Sequence, residues 1–191
     1  MNLPDKKYQI IYADPPWEYK QSGGTKNSRG MAKQFYNTMP IEQIKELPIY
    51  SIADENCVLF LWTTYPQMQE GLDVLRSWGF EYKTVAFSWV KKTKWDKEFV
   101  GMGAYTRANP EIVLLGVKGK LNVISHEVRN LTNGRINEHS KKPDLVRNKI
   151  VKLLGDLPRI ELFARTKVFG WDIWGNDNKL EIKEQTIEAF N

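Results

Sequence analysis

The 191-residue chain has one cysteine, two histidines and no long apolar run. A single thiol, Cys57, cannot form an internal disulfide. With only His126 and His139 beside it, the usual four-Cys and two-Cys–two-His zinc sites are nearly excluded, and no metal is expected. No stretch approaches the roughly 18–20 consecutive apolar residues of a membrane-spanning helix. Residues 1–17 (MNLPDKKYQIIYADPPW) put charge where a secretory signal peptide keeps its apolar segment. The match of Asn130-Leu131-Thr132 to a glycosylation sequon is therefore read as chance, and the expectation is a cytoplasmic protein with no membrane partner. No glycine-rich dinucleotide fingerprint follows either Tyr8–Ala13 or Arg159–Ala164, which argues against an ordinary NAD enzyme. No repeat, low-complexity tract or linker divides the chain, so residues 1–179 are expected to form one domain and 180–191 a C-terminal tail.

The chain is rich in aromatic residues, with seven Trp, eight Tyr and eight Phe, far too many for a chain that never buries a core. The formal net charge is +5. Basic residues cluster at Lys91, Lys92, Lys94 and Lys97, at Arg129, Arg135, Lys141 and Lys142, and at Arg147, Lys149 and Lys152. Charge alone describes a solvated surface with a mild basic excess. It points to a polyanion only if chemistry elsewhere names the same partner.

Apolar runs at Tyr8–Ala13, Cys57–Thr63, Glu81–Val90, Ile112–Val117 and Arg159–Ala164 read as strands. A short helix is expected after Pro40. A second starts near Thr64, with Thr64 and Gln67 as a capping box and Met68, Leu72 and Leu75 on one face. A third opens at Pro143, turns Val146, Ile150, Leu153 and Leu154 inward, and stops at Gly155. The segments 14–39, 91–109 and 125–142 read as long polar loops. Strands alternating with amphipathic helices imply an α/β fold with a mostly parallel sheet flanked by helices. In such sheets ligands bind at the carboxyl ends of the strands. That places Asp14-Pro15-Pro16-Trp17, the Lys91 loop and the Arg165 loop around one crevice.

Asp14-Pro15-Pro16-Trp17 directly follows an apolar strand. Two adjacent prolines fix φ and lack N–H groups, so they hold a rigid turn whose carbonyls remain acceptors. Asp14 adds a carboxylate, and Trp17 adds an aromatic face with one edge donor. Two acceptors beside a stacking wall suit a planar group carrying an NH2. The amine of a nucleobase is a poor nucleophile because its lone pair is delocalised. Hydrogen bonds to Asp14 and to the Pro15 carbonyl would let it pyramidalise toward an electrophilic methyl group, an electrostatic and proximity effect that needs no covalent intermediate. Cys57, inside an apolar strand, is a core thiol.

At this point the chain resembles the MT-A family, the seventy-kilodalton-subunit type of adenine-N6 methyltransferases. The resemblance runs from about Tyr8 to Asp177. It is carried by YADPPW, FYNTM (Phe35–Met39), VLFLWTT (Val58–Thr64), WGFEYKT (Trp78–Thr84), SWVKK (Ser88–Lys92), LLGVKGK (Leu114–Lys120), EHSKKPD (Glu138–Asp144), RIELFAR (Arg159–Arg165) and GWDIWGN (Gly170–Asn176). It implies a Rossmann-like class I methyltransferase fold that uses S-adenosylmethionine and yields S-adenosylhomocysteine. The order is permuted, with the catalytic motif before the cofactor-binding strand at Arg159–Ala164. Asp14, Pro15, Pro16 and Trp17 would form the catalytic turn. Tyr36, Trp89, Lys91 and Glu111 would line the target-adenine pocket. Ser140 and Lys142 would lie near the cofactor carboxylate, with Asp14 also on the cofactor. Glu161 and Arg165 would lie near its ribose, and Asn176 and Asp177 near its adenine. The family more often has Glu or Gln where Asp177 stands.

An adenine amine is buried in a duplex stack, so the enzyme must act on single strands or flip the base. The basic loops at 20–33, 91–109 and 125–141 would grip the backbone in a salt-sensitive, sequence-blind way. The small size resembles bacterial and phage members, which favours DNA over RNA and leaves no room for a separate target-recognition domain. Two alternatives stand beside this reading. One is an RNA adenosine-N6 methyltransferase. The other is a catalytically silent nucleic-acid-binding partner subunit, against which the intact Asp14-Pro15-Pro16-Trp17 speaks. A cytosine-N4 or protein-amide acceptor is disfavoured because related enzymes there more often carry Ser or Asn before Pro-Pro. Whether the chain is a monomer or a homodimer is not legible in the sequence.

Overall fold

The computed structural model describes residues 2–18, 38–103, 105–136, 141–175 and 181–183. Seven strands form the main sheet: β1 (Tyr8–Ala13), β2 (Ala53–Thr63), β3 (Glu81–Lys92), β4 (Glu111–Lys118), β5 (Leu131–Arg135), β6 (Arg159–Leu162) and β8 (Asp172–Trp174). Their spatial order is β5-β3-β4-β2-β1-β6-β8. A separate pair joins β7 (Thr166–Val168) to β9 (Glu181–Lys183). The helices are α1 (Ile41–Glu46), α2 (Met68–Ser77) and α3 (Leu145–Leu154). Among the described residues no helix is long and apolar enough to cross a membrane.

The sheet is covered on both faces, which is why β1 and β2 read as continuous apolar runs rather than as alternating ones. Alternate residues of each strand enter opposite cores. Ile11, Ala13, Leu59 and Leu61 pack with Ile44 of α1 and with Val74 and Leu75 of α2. Ile10, Tyr12, Phe60 and Trp62 pack with Val146, Ile150 and Leu154 of α3. The result is a three-layer, Rossmann-like α/β fold. Gly155 follows α3 at φ 91°, a left-handed value at which a side chain would be strained.

β1 pairs in parallel with both β2 and β6, β8 runs parallel to β6, and β5 runs parallel to β3. Only β4 is reversed, antiparallel to both β2 and β3. The carboxyl ends of β1, β2, β3 and β6 therefore share an edge with the amino end of β4. One reversed strand brings Glu111, its first residue, to the edge where Asp14 emerges.

Several expectations change in detail. The capping box at Thr64 is not formed. A tight turn at Tyr65–Gln67 precedes α2, and the Thr64 hydroxyl meets Gln67 Oε1 at 3.3 Å instead of a backbone N–H. The Gln67 amide instead donates to the Glu18 carbonyl at 3.3 Å, tying the start of α2 to the residue after Trp17. The strand at Arg159 ends at Leu162, two residues early, because Phe163 turns the chain at φ 60°. β5 lies inside a segment expected to be irregular. Its sequence, LTNGR, has no apolar alternation, and its place is secured from outside. Lys149 of α3 donates to the carbonyls of Arg129 and Leu131 and to the Thr132 hydroxyl. β9 lies within the segment expected to be a tail, and its pairing is with β7.

Candidate active site

The last buried residue of β1 is Ala13, and the chain leaves the sheet through Asp14-Pro15-Pro16-Trp17. The carbonyls of this turn are partly used within the protein. The Trp17 N–H donates to Pro15 O at 2.9 Å, and the Met39 N–H donates to Pro16 O at 2.8 Å. Each carbonyl keeps a second lone pair for a ligand. Trp17 is not the open stacking wall that the motif suggests. Its indole is buried in the core, and its N–H donates to the Trp62 carbonyl at 3.1 Å. Trp17 thus braces the turn against the end of β2, because a large ring with one donor is best satisfied in the interior.

Four charged side chains lie in a row of alternating sign across the edge. Lys142 Nζ lies 2.8 Å from Asp14 Oδ1 and 2.9 Å from Oδ2. The same ammonium reaches Glu111 Oε2 at 3.2 Å, and Glu111 Oε1 contacts Lys91 Nζ at 2.5 Å. The row rests on aromatic rings. Lys142 lies 5.4 Å from the Trp62 ring, and Lys91 lies 5.5 Å from that of Trp89. The two indoles meet edge to face with centroids 6.1 Å apart. Cations over electron-rich ring faces gain attraction in a site where little water competes.

Burial and pairing compete at each of these groups. Burial pushes the Asp14 carboxyl above the ordinary aspartate value, and attraction to Lys142 only partly offsets this. Burial also acts to raise Glu111, but Lys142 and Lys91 together hold it below its ordinary value. Burial would strip the proton from Lys142, yet Asp14 and Glu111 hold it there well above the usual lysine range. Arg165, on the turn after β6, adds a further pull on Asp14. The arrangement is an acceptor carboxylate at a strand tip, with a permanently charged ammonium against it.

The structure therefore brings together Asp14, Lys91, Glu111 and Lys142. Trp89 is set back: its ring is buried, and its N–H donates to the Gly134 carbonyl at 3.1 Å, so it forms the floor under Lys91 rather than a pocket wall. Glu161, expected near a cofactor ribose, is paired within the fold. Arg147 donates to both of its carboxylate oxygens, at 2.6 and 2.8 Å, in a buried bidentate pair beside Tyr12. The pair ties α3 to β6 and uses one lone pair on each oxygen. Tyr36, Ser140, Asn176 and Asp177 lie outside the described residues. The sequence reading missed Arg147, a basic residue on an otherwise apolar helix face that signals a buried partner. It also missed Trp62, whose place at the end of an apolar strand is the available clue.

The residues present fit the amino-acid end of S-adenosylmethionine, which presents an ammonium and a carboxylate. Asp14 and Lys142 supply the opposite charges side by side. At the neighbouring ends of β6 and β8, Phe163 and Trp174 meet edge to face at 5.4 Å, and the buried Trp174 Nε1 has no hydrogen-bond acceptor among the described residues. An unpartnered donor beside an aromatic surface suits a heterocycle with ring nitrogens.

A family model for MT-A70 matches residues 8–177. The chain is 40% identical over 202 residues to the type II methyltransferase M.MunI of a Mycoplasma species, covering 96% of this chain and 84% of that protein. It is 28% identical over 170 residues to the human N(6)-adenosine-methyltransferase catalytic subunit METTL3, covering 83% of this chain but 26% of that protein. An MT-A70-like N(6)-adenosine-methyltransferase of Arabidopsis thaliana is 25% identical over 173 residues, which is 88% of this chain and 23% of the relative.

Proposed function

The chain belongs to the MT-A70 family of S-adenosylmethionine-dependent adenine-N6 methyltransferases, and from that premise we propose that it methylates adenine in DNA. The likeness is stronger, and covers far more of the relative, for the bacterial type II methyltransferase than for the N(6)-adenosine enzymes. This favours DNA over RNA. The single observation that carries the catalytic reading is the Asp14 carboxylate at the tip of β1, paired with Lys142.

S-adenosylmethionine, when bound, supplies an electrophilic methyl group. Everything else falls to the chain's own residues. An Asp14 oxygen accepts one hydrogen of the adenine amine and the free lone pair of the Pro15 carbonyl accepts the other, which pyramidalises the nitrogen and localises its lone pair on the side of the electrophile. A carboxylate offers about four lone-pair directions, so Asp14 can hold Lys142 and an amine together. Its raised pKa makes it the stronger acceptor and the nearest base for the proton that the methylated nitrogen sheds. Lys142 would meet the carboxylate of the methyl donor. Glu111 and Lys91 hold Lys142 in register and fence the adenine pocket. The surrounding Trp62 and Trp89 rings keep water away and strengthen each charge interaction.

The decisive experiment supplies labelled methyl donor with matched DNA and RNA oligonucleotides and resolves the digested nucleosides by mass spectrometry. N6-methyldeoxyadenosine is the expected product. Strong preference for RNA, or N4-methylcytosine as the product, overturns the reading.

A further inference from the structure

The segment between Lys91 and Glu111 connects two members of the charged row, and it is a built structure. Its first half is a tight reversal. The Thr93 N–H donates to Lys97 O at 2.8 Å, the Asp96 N–H donates to Thr93 O at 2.9 Å, and Asp96 adopts φ 63°, which a short polar residue tolerates. Its second half doubles back on itself, with the Gly101 N–H donating to Ala108 O at 2.7 Å. A side chain at Gly103 would collide with the Thr106 carbonyl, so only glycine fits this return. Asn109 pins both halves. It accepts the Lys91 N–H at 2.7 Å, and its amide donates to Lys91 O at 3.1 Å and to Phe99 O at 2.7 Å.

Each reversal lifts an aromatic ring into solvent. Trp95 is 71% exposed and Tyr105 fully so, with Met102 at 75%. Ordered turns that hold large apolar groups away from a core indicate a binding surface. The neighbouring charges identify the kind of partner. Lys94 Nζ stands 4.4 Å from the Trp95 ring centroid, and Lys92, Lys97 and Arg107 lie on the same segment. Of its acids, Asp96 faces Arg135 at 3.8 Å, and Glu98 lies next to Lys97 in sequence, at a β-bridge to Lys92. Aromatic faces interleaved with cations are the chemistry of single-stranded nucleic acid binding, in which bases stack on rings and phosphates meet ammonium groups.

We propose that Trp95 and Tyr105 are stacking platforms for bases flanking the target adenine, with Lys94, Lys97 and Arg107 on the adjoining phosphates. Asn109 carries the position of this double reversal to Lys91, so the strand is registered against the row that ends at Asp14. The inference rests on the nucleic-acid methyltransferase reading and adds to it a specific docking surface.

The test measures a fluorescein-labelled, adenine-containing single-stranded DNA by anisotropy on the full chain, as wild type, Trp95→Ala, Tyr105→Ala, the double variant and Trp95→Phe. Affinity for S-adenosylmethionine by calorimetry and the thermal midpoint serve as controls for an intact fold. Each alanine variant is expected to weaken DNA binding roughly tenfold, the loss of one stacked base. Trp95→Phe is expected to stay within about threefold, since it keeps a ring. Cofactor affinity should not change. A double variant that binds DNA as wild type does, while wild type methylates DNA, overturns the docking surface and leaves the proposed function standing. The same outcome with a changed molar mass in light scattering makes the face a protein interface and also overturns the proposal. A wild-type chain that methylates no nucleic acid overturns both.

Discussion

Lys142 Nζ contacts both carboxylate oxygens of Asp14, at 2.8 and 2.9 Å, although the two residues are 128 positions apart in the chain. The acceptor at the strand tip is therefore held in place by a side chain that arrives just ahead of α3. Asp14→Ala removes the acceptor and leaves Lys142 with Glu111 alone. We expect kcat to fall by about 10²–10³ or more, the loss typical of one oriented transition-state partner. Asp14 would also meet the ammonium of the methyl donor, so cofactor affinity measured by calorimetry should fall as well, but by a smaller factor than kcat. Equal turnover in the two proteins contradicts the catalytic assignment.

Lys142→Met keeps the stem and deletes the charge. Asp14 and Glu111 then face each other in a poorly hydrated site without their shared cation. Removing one partner of such a buried group costs about 3–5 kcal/mol, to be read from urea denaturation at neutral pH. The double variant Lys142→Met with Asp14→Asn should recover part of that loss, because it removes the carboxylate charge that has lost its ion-pair partner, whereas Glu111 keeps Lys91.

The pH dependence has opposite signs for the two carboxylates. Asp14 has a raised pKa in the folded chain, so it gains its proton at a higher pH than an ordinary aspartate, and kcat should fall on that acid limb. Glu111 has a lowered folded pKa. Its contribution to stability is complete above its ordinary value of 4.5 and is lost only as pH falls through the lowered one. Activity should therefore disappear on acidification before the Glu111 contribution to the fold does. Glu111→Gln removes a negative neighbour of Asp14, so the acid limb of a kcat profile should move to lower pH. A limb that moves upward contradicts this account.

Arg147 and Glu161 form a buried ion pair between α3 and β6, with their side chains 7% and 9% exposed. Arg147→Met strands a buried carboxylate and should destabilise the fold by about 3–5 kcal/mol, whereas Arg147→Met with Glu161→Gln should cost less. Chemical denaturation of the two variants checks this. If Glu161→Gln instead weakens cofactor binding while leaving stability unchanged, Glu161 acts on the ribose and not on the fold.

The strand runs of β1, β2 and β4, the amphipathic faces of α2 and α3 and the Asp14-Pro15-Pro16-Trp17 turn were legible in the sequence. Their signals are local: apolar blocks, 3.6-residue spacing, and prolines that fix the backbone. β5 was not legible, because its stability comes from pairing with β3 and from the ammonium of Lys149, neither of which is written into LTNGR. The same division holds at the site. The sequence by itself determined that a carboxylate would stand at the end of the first strand, since the residues that place it are its own neighbours. Only the tertiary structure decided what faces that carboxylate. Reversal of one strand brings in Glu111, and packing of α3 on the second face of the sheet delivers Lys142. Both are contacts between segments far apart in the chain, formed because burying two apolar faces leaves the charged residues one shared edge on which to neutralise one another.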